Sequence, residues 1–274
     1  MDEERVPRDG AEQDGMMVYI DPNVIHSMAA VSAKKRAGLK ELLNAAESGD
    51  LEAEYRLGMC YYEGSGGAEQ NDRQAFYWLD QAAEGGHIAA QYGAGLCWAA
   101  GVGTRQDFDK AAELYLAAAE QEYVPAMCEL GLCYEAGRGV EKDIHRAAEL
   151  YRQAAQPGMA AAQCNLGVLY REGLGVERDD RKAAALFRAS AGQGFARGQF
   201  LLGLHLEDGR GIDRDEKQAA QEYRRAAGQN YPDGMAALAR CYEHGVGLER
   251  NPYLAADLYD RAARRGHVRA AYAL

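Results

Sequence analysis

The stretch LGLCYEAGRGVEKD, Leu130 to Asp143, decides how this chain folds. Gly131 lies inside what reads as an amphipathic helix, where glycine costs about 1 kcal/mol relative to alanine. The residue is not isolated. Gly58, Gly95, Gly131, Gly167 and Gly203, followed by Ala239, stand 37, 36, 36, 36 and 36 residues apart. Six residues after each comes a second glycine (Gly64, Gly101, Gly137, Gly173, Gly209, Gly245), and two later a third (Gly66, Gly103, Gly139, Gly175, Gly211, Gly247). Self-similarity at such a period is the mark of a repeat architecture.

Other columns keep step. Ala75, Ala111, Ala147, Ala183, Ala219 and Ala255 are 36 apart throughout, and four residues on stand Leu79, Tyr115, Tyr151, Phe187, Tyr223 and Tyr259. An Ala-Ala pair follows at 82–83, 118–119, 154–155, 226–227 and 262–263, with Ser190-Ala191 in the fourth copy. The single 37-residue step comes from one extra residue in the turn SGGAEQND, 65–72, which leaves the helices in register.

Each copy therefore reads as helix A, a Gly-x-Gly turn, helix B and a short turn. Ala126, Leu130, Gly131 and Tyr134 form a helical stripe in the third copy, as do Ala147, Leu150, Tyr151, Ala154 and Ala155. A glycine held at one place in every helix A, facing an alanine-lined helix B, predicts close backbone approach under a neighbouring Tyr or Phe ring. The second glycine follows the last periodic residue and predicts a left-handed helix stop.

With 47% hydrophobic residues in 274, the chain has material for a substantial core. The formal net charge of −11 excludes a phosphate-binding surface as its main business, since counterion release needs clustered Lys and Arg; nucleic acid is not an expected partner. There is no apolar run of membrane-spanning length and no secretory leader pattern at MDEERVPRDG, so the expected compartment is the cytoplasm and no membrane insertion is expected.

The columns A-x-x-x-L-G-x-x-Y-x-x-G-x-G, A-x-x-L/W-Y and A-A-x-x-G resemble the Sel1-like repeat family, relatives of the tetratricopeptide repeat. WLDQAAEGGHIAAQYGAGLCWAAGVG (78–103) and LYRQAAQPGMAAAQCNLGVLYREGLGV (150–176) carry that pattern almost position by position. The resemblance implies an all-α, right-handed α-α superhelix, a solenoid of about six 36-residue helical hairpins with terminal cap helices. Its concave face would hold a protein or peptide, with no chemistry of its own. Leu206, Ala239 and Glu122 depart from the pattern without removing a helix.

The ends are less regular. Residues 1–20 are polar and aperiodic and are expected to be disordered. Asp21-Pro22 is a helix start opening a capping segment, 21–48, in which LKELLNAAESGD (39–50) matches helix B of a degenerate copy. The solenoid is expected over 49–274, closing on a half repeat at GHVRAAYAL.

Few motifs suggest chemistry. Ser32 and Lys35 match S-x-x-K, but neither S-D-N nor K-T-G accompanies them. Together with a link between cysteine-rich family relatives and β-lactams, that pattern is the sole support for a hydrolase alternative; a secreted effector using the same groove is a further one. The six cysteines repeat in packing columns (Cys60, Cys97, Cys133, Cys241; Cys128, Cys164) and read as buried free thiols. The histidines His26, His87, His145, His205, His244 and His267 lack metal-ligand spacing and read as turn residues. The Gly-x-Gly turns end helices and open none after a strand, so they are not dinucleotide loops. No catalytic residue, cofactor or metal is expected.

If helix A lines the concave side, the positions before each helix stop face the groove: Tyr62 and Glu63, Ala99 and Ala100, Glu135 and Ala136, Arg171 and Glu172, Glu207 and Asp208, Glu243 and His244. One turn earlier lie Met59, Leu96, Leu132, Val168, Leu204 and Arg240. Acidic outside and apolar inside, this row predicts an amphipathic partner segment bearing basic residues.

Overall fold

The computed structural model describes residues 38–271, and among them only helices are found. The chain divides after Lys142 into two compact units. Residues 1–37 lie outside the described part, and with them Asp21-Pro22, His26, Ser32 and Lys35.

The first unit holds α1 (Leu39–Glu47), α2 (Leu51–Glu63), α3 (Asp72–Glu84), α4 (Ile88–Ala100), α5 (Phe108–Ala119) and α6 (Val124–Ala136). Each packs on the next, so the hairpins α2–α3 and α4–α5 stack between α1 and α6. The second unit holds α7 (Ile144–Ala155), α8 (Ala160–Glu172), α9 (Asp180–Gly192), α10 (Ala196–Asp208), α11 (Glu216–Gly228), α12 (Pro232–His244), α13 (Pro252–Ala263) and the short α14 (Val268–Ala271). Its hairpins α8–α9, α10–α11 and α12–α13 stack in the same manner. The even-numbered helices from α2 onward are helices A, and α1, α3, α5, α7, α9, α11 and α13 are helices B. The fold is an all-α solenoid of helical-hairpin repeats, with α1 before the first of them and α14 after the last among the described residues.

The glycine of helix A is a steric requirement. A Cβ on Gly95 would stand 2.6 Å from the Tyr115 ring, and one on Gly167 2.7 Å from Phe187; Gly203 sits equally tight beneath Tyr223. Those three rings are at most 1% exposed. Ala239 takes the sixth place because its partner ring, Tyr259, is only half-buried. Close packing of a large ring over bare backbone offsets the lost helix propensity.

The second glycine ends each helix A in the left-handed region, with φ between 67° and 73° in all six copies. The third has a role the sequence did not disclose. A Cβ on Gly175 would meet the carbonyl oxygen of Ile144 at 2.5 Å, and Gly103, Gly139, Gly211 and Gly247 press on the same place in the preceding helix B. Each turn is thus seated on the start of the previous helix B, and this contact sets how one hairpin stacks on the next.

Helix B begins on a column of N-caps: Asn71, Asp107, Asp143, Asp179, Asp215 and Asn251 each accept backbone N–H bonds from residues two or three ahead. The short turn from B to A ends on a left-handed residue, which is Gly86, Gly158, Gly194 or Gly266 in four copies and Asn230 in another. In the second copy it is Glu122, at φ 59°. A left-handed non-glycine residue costs about 1–2 kcal/mol. Glu122→Gly is therefore expected to raise the unfolding free energy by about 1 kcal/mol, read as a higher urea midpoint at unchanged slope.

Candidate interaction surface

The residues before each helix-A stop occupy one repeated place on the hairpin. The outer position of the pair is exposed at Glu63, Ala100, Glu172, Asp208 and His244 and half-buried at Ala136. The inner position is half-buried at Tyr62, Glu135, Arg171, Glu207 and Glu243 and buried at Ala99. One turn earlier Met59 and Leu96 are buried in the hairpin packing, Leu132, Val168 and Leu204 are half-buried, and Arg240 is exposed. Each unit thus presents these positions side by side on successive helices A.

The acids of this row do not all stand free in solvent. Tyr223 donates its phenolic hydrogen to Glu207 at 2.6 Å, and Arg240 donates to the same carboxylate oxygen at 2.5 Å. Burial first, then this hydrogen bond, holds the Tyr223 hydroxyl far above the ordinary tyrosine range. Tyr259 donates likewise to Glu243 at 2.9 Å and is pushed up to about 12 by burial and that bond. Glu172 pairs with Arg171 at 2.7 Å on the surface. Glu207 and Glu243 therefore tie helix A to helix B as well as carrying charge.

This tyrosine–acid coupling corresponds to a spacing of sixteen in the sequence, which the structure brings out. Tyr223 goes with Glu207 and Tyr259 with Glu243, whereas Phe187, which has no hydroxyl, goes with Arg171. Tyr115 breaks the rule. Its counterpart is Ala99, and its hydroxyl, buried and held well above the ordinary range chiefly by that burial, has no partner among the described residues.

A second pairing joins helix A to the turn that follows helix B. Gln121 donates to Gln91 at 3.0 Å, Gln193 to Gln163 at 2.8 Å, and Gln229 to Gln199 at 2.9 Å. His87 and His267 cap α4 and α14, accepting N–H bonds through Nδ1 while Nε2 faces Glu52 and Asp233. His145 stands in the first turn of α7 and places Nδ1 3.0 Å from the Gly175 carbonyl. His205 differs from the turn role expected of it: it is buried inside α10, donates through Nδ1 to the Arg210 carbonyl at 2.9 Å, and packs edge-on to Phe187. Desolvation by that burial lowers its pKa. Position 205 belongs to the column of Cys97, Cys133, Leu169 and Cys241, whose apolar character was the available signal.

All six cysteines are free, five buried and Cys60 half-buried. Burial pushes the Cys97 and Cys133 thiols up to about 12 and those of Cys164 and Cys241 to about 11, so they pack as small apolar groups. Among the described residues no three His, Cys, Asp or Glu side chains converge as a metal site would require, and no helix is long and apolar enough to cross a membrane.

Comparison with known proteins agrees with this architecture. The Sel1 repeat family model matches six consecutive segments, 51–87, 88–123, 124–158, 160–195, 196–231 and 232–267. A crystal structure of a protective antigen of uropathogenic Escherichia coli displaying an SLR fold is 32% identical, with a TM-score of 0.73 over 85% of this chain and 50% of that one. The present chain thus spans about half the length of that relative. A Sel1 repeat protein from Oxalobacter formigenes is 29% identical, with a TM-score of 0.69 over 79% of this chain and 84% of its own. An immunity protein of Pseudomonas aeruginosa, 19% identical, shares the fold at a TM-score of 0.52 over 79% of this chain and 82% of its own. Among curated proteins none matches this sequence. Six matched copies, their internal packing and these structural neighbours lead to one conclusion: the chain belongs to the Sel1 repeat family.

Proposed function

We propose that this protein is a non-enzymatic scaffold that holds a protein or peptide segment along the C-terminal ends of its helices A. One contrast within each copy carries this reading. Residues that build the hairpin recur at constant spacing, whereas the two positions before each left-handed glycine change from Tyr-Glu to Ala-Ala, Glu-Ala, Arg-Glu, Glu-Asp and Glu-His, and the outer one is exposed in five of six copies. A scaffold that keeps its frame constant and varies an exposed row is built for recognition. Acidic members of the row favour a partner segment with basic residues. Proteins of this repeat family serve chiefly as interaction scaffolds, which supports the reading.

Affinity capture from native lysate tests it, comparing wild type with a Glu63→Lys, Glu172→Lys, Asp208→Lys variant. Glu207 is left intact because it holds Tyr223. A protein captured by wild type and at least tenfold depleted from the variant's eluate is the expected result. Equal capture by both, or no specific capture by either, overturns the assignment. No observation favours the hydrolase alternative, whose Ser32 and Lys35 lie outside the described residues.

A further inference from the structure

Charge is unevenly divided along the chain. Residues 38–142 contain 18 Asp and Glu against 7 Lys and Arg, whereas residues 143–271 contain 17 against 19. Much of the first unit's excess gathers on one edge, where helices B end and helices A begin. Its three turns, ESGD (47–50), EGGH (84–87) and EQEY (120–123), contain no Lys or Arg. Successive turns on this edge are neighbours: the Tyr55 and His87 rings stack at 4.7 Å, and Tyr92 lies 5.6 Å from Tyr123.

The acids of this edge stand where stability disfavours them. Glu47 and Glu84 end α1 and α3, and Glu120 caps the end of α5, at helix C-termini whose partial negative charge repels a carboxylate. The same positions in the second unit hold Gln156, Gly192, Gly228 and Arg264. Glu122, two residues beyond Glu120, carries the left-handed strain already described.

Behind them lies Glu54 of α2, 9% exposed, with Oε2 buried and unpartnered among the described residues. Its position is that of Gln91, Gln163 and Gln199, whose side chains reach the turn on this edge and receive an amide N–H there. In the first copy the donor's place falls to Gly85, where a Cβ would run into the end of the Leu51 side chain. By that position Glu54 belongs to the edge, and its Oε2 finds no donor among the described residues. Desolvation, and secondarily Asp50, raises its pKa, as befits a carboxylate lacking compensation.

Several independent sacrifices of stability on one edge are the signature of a surface kept for binding. We infer that this edge of the first unit, Glu47, Glu84, Glu120 and Glu122 backed by Glu54, docks a Lys- and Arg-bearing protein segment, one cationic side chain displacing the end of Leu51 to donate to Glu54. The inference deepens the scaffold reading by adding a second contact surface and naming its partner chemistry. An arriving cation supplies what this edge lacks, the counter-charge for the helix ends and the missing donor for Glu54.

The test is fluorescence anisotropy of labelled nona-arginine, and of a Gly-Ser peptide of equal length, titrated with the full chain at 50 and 150 mM salt. Nona-arginine is expected to bind in a salt-dependent manner and the neutral peptide not at all. Neutralising the edge with Glu47→Gln, Glu84→Gln and Glu120→Gln is expected to weaken binding at least tenfold. An equally neutralised variant at exposed acids of neither surface, Glu113→Gln, Asp213→Asn, Glu249→Gln, should change it less than twofold. Glu54→Gln should weaken binding at least threefold while raising the urea midpoint, a combination that general damage to the fold does not produce. No binding by wild type, an edge variant within twofold of wild type, or equal losses from both neutralised variants overturns the inference. Such a failure leaves the helix-A assignment standing, because that rests on its own variants and on lysate capture.

Discussion

Gly175→Ala is expected to destabilise the protein by about 3 kcal/mol, the sum of a left-handed alanine and a forced backbone shift of about 1–3 kcal/mol. Its neighbour two residues back supplies the control. Gly173 has the same conformation, φ 70° against 65°, but a Cβ there would meet the Arg178 side chain at 3.3 Å, whereas at Gly175 it meets a backbone carbonyl. At 3.3 Å the Arg178 Cβ has to give by only a few tenths of an ångström, whereas the Ile144 carbonyl at the start of α7, 2.5 Å away, moves only if the hairpins part. Gly173→Ala is accordingly expected to cost only about 1–2 kcal/mol. Urea unfolding followed by far-ultraviolet circular dichroism distinguishes them, and equal losses would show that the third glycine has no stacking role. In a linear array such a lesson is local, because each hairpin is stabilised by its neighbours.

The two buried tyrosines should respond in opposite directions to loss of a hydroxyl. Tyr223→Phe removes a donor from Glu207, a hydrogen bond to a charged group, and is expected to cost about 2 kcal/mol. Tyr115→Phe deletes a buried hydroxyl that has no acceptor among the described residues, whose burial alone costs about 1–3 kcal/mol, and is expected to raise stability by about 1 kcal/mol. Ala99→Glu, which gives the second copy the acid found in the third, fifth and sixth, should make Tyr115→Phe unfavourable in its background. A double-mutant cycle measures that coupling directly. If both tyrosine changes destabilise equally, the pairing of helix A with helix B through this hydroxyl is not what the sixteen-residue spacing encodes.

Legibility followed periodicity. The glycine beneath each ring, the left-handed stops and the buried thiols all recur at 36 residues, and recurrence exposes a packing role even when no single copy would. The N-cap column from Asn71 to Asn251 was equally periodic but lies in the loop register, where attention to helical stripes does not look. Glu207 and Glu243 read as recognition charges because charge at a variable position is ambiguous. Only their distance from Tyr223 and Tyr259 shows a second role. His205 was hidden by the opposite circumstance, a polar residue in an otherwise apolar column.

The sequence by itself determined the repeat, the two helices of each copy, where they stop, and which small residues they share, because these follow from local conformational preference and from a pattern repeated six times. Tertiary structure decided the rest. It alone shows that the third glycine is bare so that a turn can rest on a carbonyl about thirty residues earlier, and that the Tyr115 hydroxyl and Glu54 Oε2 lack, among the described residues, partners their counterparts possess. It also brings the acids of three separate turns onto one edge. Those facts depend on contacts between residues far apart in the chain, and a one-dimensional pattern records spacing without recording which atoms meet.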